Sequence, residues 1–416
     1  METIRLVISL EAQMKWKIYQ LDAKSAFLNG YLEEEVYVEQ PLGYVVDGHE
    51  DKVLRLKKAL YSLKQAPRAW NRCIDKYFQE NGFVSCPNEY ALYIKVYHNG
   101  DVLLICLYVD YLIFTGNNLS LFDELKKVIS FEFEMTDLSL MSYYLGIEVK
   151  QMEEGIFLSQ TSYAKEILKK FNMIDCNPVN TPMGIGLKLS KLGDEEKENR
   201  TLFKSLVGSL KYLTCTRSDI LYTVGVVSRF METPTSTHMK VAKRILRYLK
   251  CMLDFRMFYT SSDDYTLKGF CDSEFAGDID NRKTTSGFVF FMVDCAMSWC
   301  SKKQTIVTLS TCESEYVAAT SCTCHSIWLR KLLKGLHLSQ VEATEIRIDN
   351  KSAQALTRNP MFHDQRNNID TRYHFIRECI ANKEVELKFV KTQDQVTDIF
   401  TKPLKFEDFR RLWSRL

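Results

Sequence analysis

Residues 103–117, LLICLYVDYLIFTGN, constrain the fold more than any other part of this 416-residue chain. An apolar run leads to a single acid, Asp110, and a second apolar run follows it. The length and the β-branched and aromatic content of both runs predict two short strands joined by a tight turn that carries the acid. A carboxylate at such a turn is either a structural turn residue or a ligand for a metal ion.

A second acid, Asp22, ends another strand-like run, residues 18–22. The dipeptide Asn29-Gly30 predicts a turn after it, and residues 36–39 have the composition of a further strand. Taken singly, Asp22 and Asp110 are most simply turn or cap residues. On neighbouring strands, however, two such acids form the oxygen-rich site that Mg²⁺ prefers.

The composition is that of a globular protein of two or three domains, because 46% of the residues are hydrophobic, 26% are charged and the net charge is +2. Despite this near-neutral net charge, the sequence contains two clusters of basic residues. Their members are Lys57, Lys58, Lys64 and Arg68 in one segment, and Lys240, Lys243, Arg244, Arg247 and Lys250 in the other. Each cluster is compatible with a surface that faces phosphates and with an ordinary solvated helix face.

Thirteen cysteines are scattered through apolar surroundings. Cys322, Cys324 and His325 do not form a zinc-site pattern, since residues two apart on a predicted helix point to different faces and no second ligand pair follows. We therefore expect free thiols in a reducing compartment. The N-terminal residues lack a signal-peptide pattern, and the longest apolar run is too short to span a bilayer. The sequence predicts an intracellular protein, cytoplasmic or nuclear, without membrane contact.

Several further segments have clear periodicity. Residues 1–16 predict a helix, and residues 54–71, LRLKKALYSLKQAPRAWN, predict a basic amphipathic helix that Pro67 breaks or bends. The latter is either a surface helix or an element that faces a template or nucleotide, with Gln65 and Arg68 reaching the ligand. Residues 176–200 have a linker composition. Residues 203–221 and 237–252 each predict a helix.

The last third of the chain predicts an α/β layer with a mixed sheet. Its pattern gives strands at 267–272, 287–293 and 297–301, a long helix at 312–336, a strand at 345–349, helices at 351–358 and 370–382, a strand at 385–391 and a short helix from Asp394.

Four motifs in fixed order resemble the reverse transcriptase of copia-type retrotransposons, and the similarity extends over essentially the whole chain. They are QLDAKSAFLNGYLEEEVYVEQPLGY, LKKALYSLKQAPRAWN, LYVDYLIFTGNN and YYLGIEV. The resemblance implies that Asp22 and Asp110 are metal-binding, catalytic acids of a polymerase palm. It also implies that Phe27 is the aromatic gate that excludes a ribose 2′-OH, whereas outside this motif Phe27 would be interpreted as a core residue. The implied ligands are Mg²⁺, an RNA template, a DNA primer and, if the polymerase is active, a dNTP.

Two departures from the family pattern predict an inactive polymerase. The family has Tyr-Val-Asp-Asp at the turn, whereas this chain has Tyr108-Val109-Asp110-Tyr111. A phenol does not supply the lost negative charge at neutral pH, and each missing acid weakens the binding of two magnesium ions. The chain also begins just before the Asp22 motif, so we expect it to lack the basic fingers segment that the family places upstream.

The motifs GFCDSEFAGD, STCESEYVAA, IRIDNKSA and DQVTDIFTKPL, together with the element order, resemble the ribonuclease H domain of the same elements. The resemblance implies two Mg²⁺ ions, an RNA–DNA hybrid as substrate and a quartet of catalytic acids. These acids are Asp272, Glu315, Asp349 and Asp398. Each has a structural alternative: Asp272 and Asp349 as strand-end residues, Glu315 as a helix-dipole partner, and Asp398 as a surface acid.

Three residues near the end of this domain bear on substrate contact. His374 and Arg377 match residues that the family retains, and their structural alternative is a partly exposed helix face. Asn368 stands where the family has histidine, a change that we expect to slow turnover.

The predicted architecture is therefore α+β and α/β with several domains. Residues 1–175 form a truncated polymerase palm, residues 176–262 a linker and helical thumb- or connection-like region, residues 263–405 a ribonuclease H-like domain, and residues 406–416 a C-terminal tail. Two functional interpretations remain open: a Pol fragment with a damaged polymerase and a working ribonuclease H, or a non-catalytic, nucleic-acid-binding or unstable remnant. The sequence does not predict the oligomeric state.

Overall fold

The computed structural model describes residues 1–192, 195–262, 265–358 and 371–416. The chain forms two compact units, Trp16–Met141, and Met1–Lys15 together with Ser142–Leu416. The domain boundaries given above remain a prediction. The departure noted at Asn368 lies outside the described residues, as does the start of the helix predicted from residue 370.

Helices occur along most of the described chain. The α-helices are α1 Glu2–Met14, α2 Ala66–Glu80, α3 Ser120–Glu132, α4 Thr161–Lys170, α5 Arg200–Leu213, α6 Leu221–Val227, α7 Ser236–Cys251, α8 Thr311–Gly335, α9 Lys351–Arg358, α10 Phe375–Ala381 and α11 Phe406–Trp413. Short 3₁₀-helices lie at Ala26–Asn29, Ser218–Ile220, Ser228–Phe230, Thr371–His374, Thr392–Asp394 and Val396–Phe400. Within the described ranges, none of the helices combines the length and the apolar character needed to cross a membrane.

The strands are short in the first half and longer in the last third. They are β1 Tyr19–Ala23, β2 Tyr37–Val38, β3 Leu54–Arg55, β4 Val84–Cys86, β5 Glu89–Val96, β6 Val102–Tyr108, β7 Tyr111–Gly116, β8 Met135–Leu140, β9 Tyr143–Tyr144, β10 Ile147–Gln151, β11 Gly155–Ser159, β12 Met257–Thr260, β13 Leu267–Glu274, β14 Thr285–Met292, β15 Cys295–Lys303, β16 Thr344–Ile348 and β17 Val385–Phe389.

The unit Trp16–Met141 is built on an antiparallel sheet with the strand order β4-β5-β6-β7-β1-β8. Helices α2 and α3 bury apolar side chains against it, including Trp70 and Phe78 from α2 and Phe122 from α3. The predicted hairpin is confirmed, because β6 and β7 pair and leave only Val109 and Asp110 in the turn. This sheet therefore brings β1 directly beside the hairpin that carries Asp110.

Asn29 and Gly30, the residues of the predicted turn, stand at the end of the 3₁₀-helix Ala26–Asn29, and the strand predicted at 36–39 contains β2, which pairs with β3. Gly30 is also needed for close packing, since a Cβ atom there would lie 2.6 Å from the Trp70 nitrogen. The helix predicted from residue 54 begins only at Ala66, where Pro67 occupies the first turn, in which a missing N–H costs nothing.

The second unit contains a five-stranded mixed sheet with the order β15-β14-β13-β16-β17. The pairs β13–β16 and β16–β17 are parallel, and the other two are antiparallel. Helix α8 packs on β13, β14 and β16. The predicted α/β layer with a mixed sheet is thus confirmed, and each predicted strand of this sheet overlaps an observed one.

The same unit includes a four-stranded sheet, β12-β11-β10-β9, and the helices α4 to α7. Helix α1, which is confirmed, packs on β11, β12 and β15 and is buried over almost its entire length. Arg5 fixes it there: its Nε donates to the Met297 carbonyl over 2.9 Å, and its guanidinium lies 3.8 Å from the centre of the Trp299 ring.

The basic face of α7 is largely occupied by the chain itself. Arg244 donates to Thr181 Oγ1, Arg247 to the Asn177 carbonyl and Lys250 to the Cys176 carbonyl, over 3.0, 2.6 and 2.8 Å respectively. These bonds hold the predicted linker against the helix. Three of the five basic residues of this segment therefore have a structural role that neither sequence interpretation included.

The segment predicted as a C-terminal tail contains helix α11, whose Phe409 and Leu412 are buried. The Phe409 ring packs edge-on against Tyr248, with centroids 5.7 Å apart. The short amphipathic pattern of α11 was not recognised because only two of its positions reach the core. All thirteen cysteines lie in the described residues and are free thiols, as predicted.

A buried ionic network connects the 3₁₀-helix Ser218–Ile220 to α7. Arg217 donates to both carboxylate oxygens of Asp219, over 2.9 and 2.7 Å, and the Tyr248 hydroxyl donates to Asp219 over 2.6 Å. Arg217 and Asp219 are 4% and 1% exposed. Removing one partner would therefore leave a buried charge without compensation.

We predict that Asp219→Ala lowers the free energy of unfolding of the full chain by about 3–5 kcal/mol. The matched control is Glu232→Ala, which removes exposed ion pairs with Arg200 and Lys204 and should leave the urea midpoint unchanged. Urea unfolding followed by circular dichroism measures both. Equal midpoints for the two variants would contradict a stabilising role for the buried network.

Candidate active sites

The first candidate site lies on the sheet of the unit Trp16–Met141. In the β1–β7 pairing, Asp22 stands directly opposite Tyr111, and the Ala23 amide donates to the Asp110 carbonyl over 2.8 Å. The turn is held by Val109, which has a left-handed φ of 57° and whose carbonyl accepts a 2.5 Å hydrogen bond from Trp70 Nε1. The structure therefore brings Asp22, Asp110 and Tyr111 together, as the sequence predicted for the two acids.

The electrostatics of this site reflect two acids and a phenol in close proximity. Partial burial, and then the charge of Asp110, raise the pKa of Asp22 above its usual value. Burial and the charges of Asp22 and Asp110 raise the pKa of Tyr111 as well. Tyr111 is consequently a neutral phenol at neutral pH and adds no charge to the site.

The other residues predicted for this site lie near the N-terminus of α2 and just after β1. Phe27 is partly buried, and its ring centroid lies 4.8 Å from that of Tyr61. Gln65 is the half-buried residue that precedes α2, and Arg68 is exposed in its first turn. These positions agree with a packing role for Phe27, and the binding roles of the three side chains remain proposals.

The second candidate site lies at one edge of the mixed sheet. One carboxylate oxygen from each of Asp272, Glu315 and Asp349 falls within 4.8 Å of the others. Asp272 is near the end of β13 and Asp349 directly follows β16. Because these two strands are parallel, their carboxyl ends meet at the same edge of the sheet.

Glu315 reaches this edge from the N-terminal part of α8. The helix begins at an N-cap, Ser310, whose side chain accepts a hydrogen bond from the Glu313 amide. Glu315 Oε1 accepts two hydrogen bonds from Ser273, from its amide over 2.9 Å and from its hydroxyl over 2.8 Å. Its other oxygen, Oε2, is buried and has no hydrogen-bond partner among the described residues. A buried oxygen without a partner is available to a water molecule or a metal ion.

Asp398 joins the cluster from the 3₁₀-helix Val396–Phe400. Gln395 Nε2 donates to the Cys271 carbonyl over 2.8 Å, and Ser301 Oγ donates to the Phe400 carbonyl over 2.6 Å. Gly287 permits this close approach, since a Cβ atom there would lie 2.7 Å from Phe400 Cβ. The turn is thus fixed on the sheet beside Asp272.

Two neighbours of Asp398 complete the surroundings of Asp272. Thr401 Oγ1 donates a hydrogen bond to Asp272 Oδ2. Lys402 Nζ lies 2.8 Å from Asp398 Oδ1 and 4.0 Å from Asp272 Oδ2. Sequence reasoning did not single out Ser273, Thr401 or Lys402. The available signal was the spacing in DQVTDIFTKPL, where Lys402 follows Asp398 by one helical turn.

Burial and, after it, mutual repulsion raise the pKa values of these acids. Burial, followed by the charge of Asp272, raises the pKa of Glu315 to about 9 and that of Asp398 to about 7. The same two causes raise the pKa of Asp349. Without a cation, the four carboxyl groups therefore do not all ionise at neutral pH.

His374 and Arg377 lie beside helices α8 and α9. His374 Nδ1 is 2.9 Å from the hydroxyl of Tyr316, the residue that follows Glu315. Arg377 donates to the Leu356 carbonyl over 3.0 Å. Both side chains thus have structural partners, and their contact with a substrate remains a proposal.

We predict that, in EDTA, the melting temperature of the wild-type chain falls as pH rises from about 5 to 9. The folded pKa of Glu315 is about 9 against an ordinary 4.5, so the folded state retains a proton that the unfolded state releases, and that stabilisation is lost as pH rises through the folded value. Glu315→Gln should reduce this slope and stabilise the metal-free chain at pH 8 by about 2 kcal/mol.

The matched control for this prediction is Glu342→Gln, which changes an exposed glutamate of the same unit. It should retain the wild-type dependence on pH. Thermal melts of the three proteins at pH 5, 7 and 9 make the comparison. If Glu315→Gln had the same slope as Glu342→Gln, the repulsion at Glu315 would be too weak to matter for stability.

Comparison with known proteins identifies the origin of these sites. A family model described as reverse transcriptase (RNA-dependent DNA polymerase) matches residues 1–185. The chain is 39% identical over 419 residues to the retrovirus-related Pol polyprotein from transposon TNT 1-94 of Nicotiana tabacum, with 98% of this chain and 31% of that protein covered. It therefore spans less than a third of the length of this relative.

A shorter relative is matched almost completely. The chain is 30% identical over 303 residues to the putative transposon Ty5-1 protein of Saccharomyces cerevisiae, with 72% of this chain and 98% of that protein covered.

Among solved structures, the chain aligns with the N-terminal RNase H domain of a Mycobacterium tuberculosis protein, determined as a maltose-binding-protein fusion. The alignment covers 36% of this chain and 97% of the solved chain, at 9% sequence identity and a TM-score of 0.24. That score is too low to carry an argument. The sequence matches show that the chain belongs to the copia-type retrotransposon Pol family, with a reverse transcriptase region at residues 1–185.

Proposed function

We propose that the unit that contains the mixed sheet, Met1–Lys15 together with Ser142–Leu416, cuts the RNA strand of an RNA–DNA hybrid in the presence of Mg²⁺. It is called the mixed-sheet unit below. The observation that supports this most directly is the cluster of Asp272, Glu315 and Asp349, with oxygens within 4.8 Å of one another. The hybrid would be recognised by its shape and its 2′-OH groups rather than by base sequence.

The donor set fits magnesium. The cluster offers carboxylate oxygens, which this ion prefers, and the buried Oε2 of Glu315 lacks a hydrogen-bond donor among the described residues. Asp272, Glu315, Asp349 and Asp398 would hold the ions. When bound, magnesium would supply Lewis-acid activation at the scissile phosphate.

The chain's own residues prepare this site before any ligand arrives. Ser273 fixes the orientation of Glu315 through its amide and hydroxyl, and Thr401 does the same for Asp272. The sheet, α8 and the anchored turn place the acids on elements that do not need to move. We also propose that His374 and Arg377 contact the hybrid. His374 lies beside Tyr316 of α8.

For the unit Trp16–Met141, we propose a palm that does not polymerise. Asp22 and Asp110 remain close to each other, but the position beside them holds the neutral, half-buried phenol of Tyr111. Two carboxylates and a phenol bind two magnesium ions less well than three carboxylates do. Phe27, Gln65 and Arg68 would contact a nucleotide or template only if this site were active.

The test of the ribonuclease H proposal is cleavage of a labelled RNA–DNA hybrid by the full chain in Mg²⁺. We predict cleavage of the RNA strand, and a loss of at least about 100-fold in Asp272→Asn, because the acid shared by the whole cluster is neutralised. The matched control is Asp294→Asn, an exposed acid in the turn between β14 and β15, which should cleave at the wild-type rate. A folded wild-type chain without cleavage would favour the non-catalytic interpretation.

The polymerase proposal has a separate test. Primer extension on an RNA template should yield no product with wild type, because the catalytic metal pair is weakened. Extension by wild type that disappears in Asp22→Asn would contradict the proposal, since it would show that two acids suffice at this site.

A further inference from the structure

Lys402 is the cation closest to the acid cluster among the described residues. Its Nζ lies 2.8 Å from Asp398 Oδ1 and 4.0 Å from Asp272 Oδ2. The two carboxylate side chains are 10% and 3% exposed, whereas that of Lys402 is 30% exposed. The ammonium group therefore reaches a nearly buried pair of acids from a partly exposed position.

The fold fixes this geometry on the backbone side. Lys402 follows Asp398 by four residues, and its amide donates to the Asp398 carbonyl over 3.2 Å. The turn that carries both residues is held to the sheet by Gln395 and Ser301. The lysine stem thus starts from a rigid position, while its flexible chain allows the ammonium group to move away.

We propose that Lys402 is an internal counter-cation of the acid cluster, which holds Asp398 and Asp272 together in the metal-free protein and competes with a divalent metal for Asp398. This inference rests on the proposed ribonuclease H function and adds a control on how tightly its metal is held. An ammonium group 2.8 Å from a carboxylate oxygen lies in the space that a metal ion bound to that oxygen would take. A divalent ion bound to the same oxygen would repel it across a few ångströms.

This arrangement predicts opposite effects in the two states of the protein. Without metal, removing the lysine charge leaves four crowded carboxylates and lowers the melting temperature. With metal, the same substitution removes the ammonium group that competes for Asp398, so the metal ion binds more tightly. A purely structural tether, by contrast, would lower the melting temperature by the same amount with and without metal.

The experiment compares the full chain with Lys402→Met, which keeps the apolar stem and removes the charge. Calorimetric titration with Mg²⁺ should show a Kd about tenfold lower in Lys402→Met than in wild type. Thermal melts should show a lower melting temperature in EDTA and a larger rise on addition of Mg²⁺. Lys402→Arg should retain the wild-type Kd, and Lys405→Met, which changes an exposed lysine three residues away, should change neither quantity.

The outcomes separate this inference from the proposed function. Wild type that neither binds Mg²⁺ nor cleaves the hybrid would overturn both. Wild type that binds and cleaves, together with an unchanged or higher Kd in Lys402→Met, would overturn the role of Lys402 alone. If Lys402→Met does not fold, Lys402→Gln replaces it, and the same lower Kd is expected.

Discussion

The burial of carboxylates that repel one another is the constraint on which the acid cluster of the mixed sheet depends. Parallel strands β13 and β16 bring Asp272 and Asp349 to one edge of the sheet, and α8 adds Glu315. Three neighbouring residues offset that repulsion. Ser273 and Thr401 donate hydrogen bonds to the acids, and Lys402 supplies a positive charge. The fold therefore maintains an arrangement that is unfavourable without a cation and suited to binding one.

The two candidate sites illustrate one principle with different outcomes. Both place acids at strand ends on neighbouring strands, which is the simplest way for a sheet to concentrate oxygen ligands. In the unit Trp16–Met141, the position beside the two acids holds Tyr111, a neutral phenol that fills space without adding charge. At the edge of the mixed sheet four acids lie together, and burial, followed by the charge of Asp272, raises the pKa values of Glu315 and Asp398. The two sites therefore differ in charge although both are built at strand ends.

Local sequence patterns predicted the elements and most of the acids that line the sites. The hairpin at Asp110 and the mixed sheet were predictable because alternation, strand length and turn position are encoded within a few residues. The start of α2 at Ala66 and the packing role of Gly30 were not, since they depend on a close approach between segments that are distant in sequence. Lys402 follows Asp398 by only four residues, but the local pattern does not show that Asp272, 130 residues earlier in the chain, lies 4.0 Å from its ammonium group. The order of the motifs pointed to the acids. Only the fold shows that Ser273, Thr401 and Lys402 compensate their charge.

The central claim is that Asp272, Glu315 and Asp349 converge to bind a divalent metal. The most direct measurement is anomalous diffraction from crystals of the full chain soaked in Mn²⁺, which substitutes for Mg²⁺ at oxygen-rich sites. The structure predicts an anomalous peak in contact with carboxylate oxygens of all three residues, and no such peak in Asp272→Asn. A well-ordered wild-type site without a peak would contradict the claim and would mean that these acids are held together by protons, by Lys402 and by the hydrogen bonds from Ser273 and Thr401.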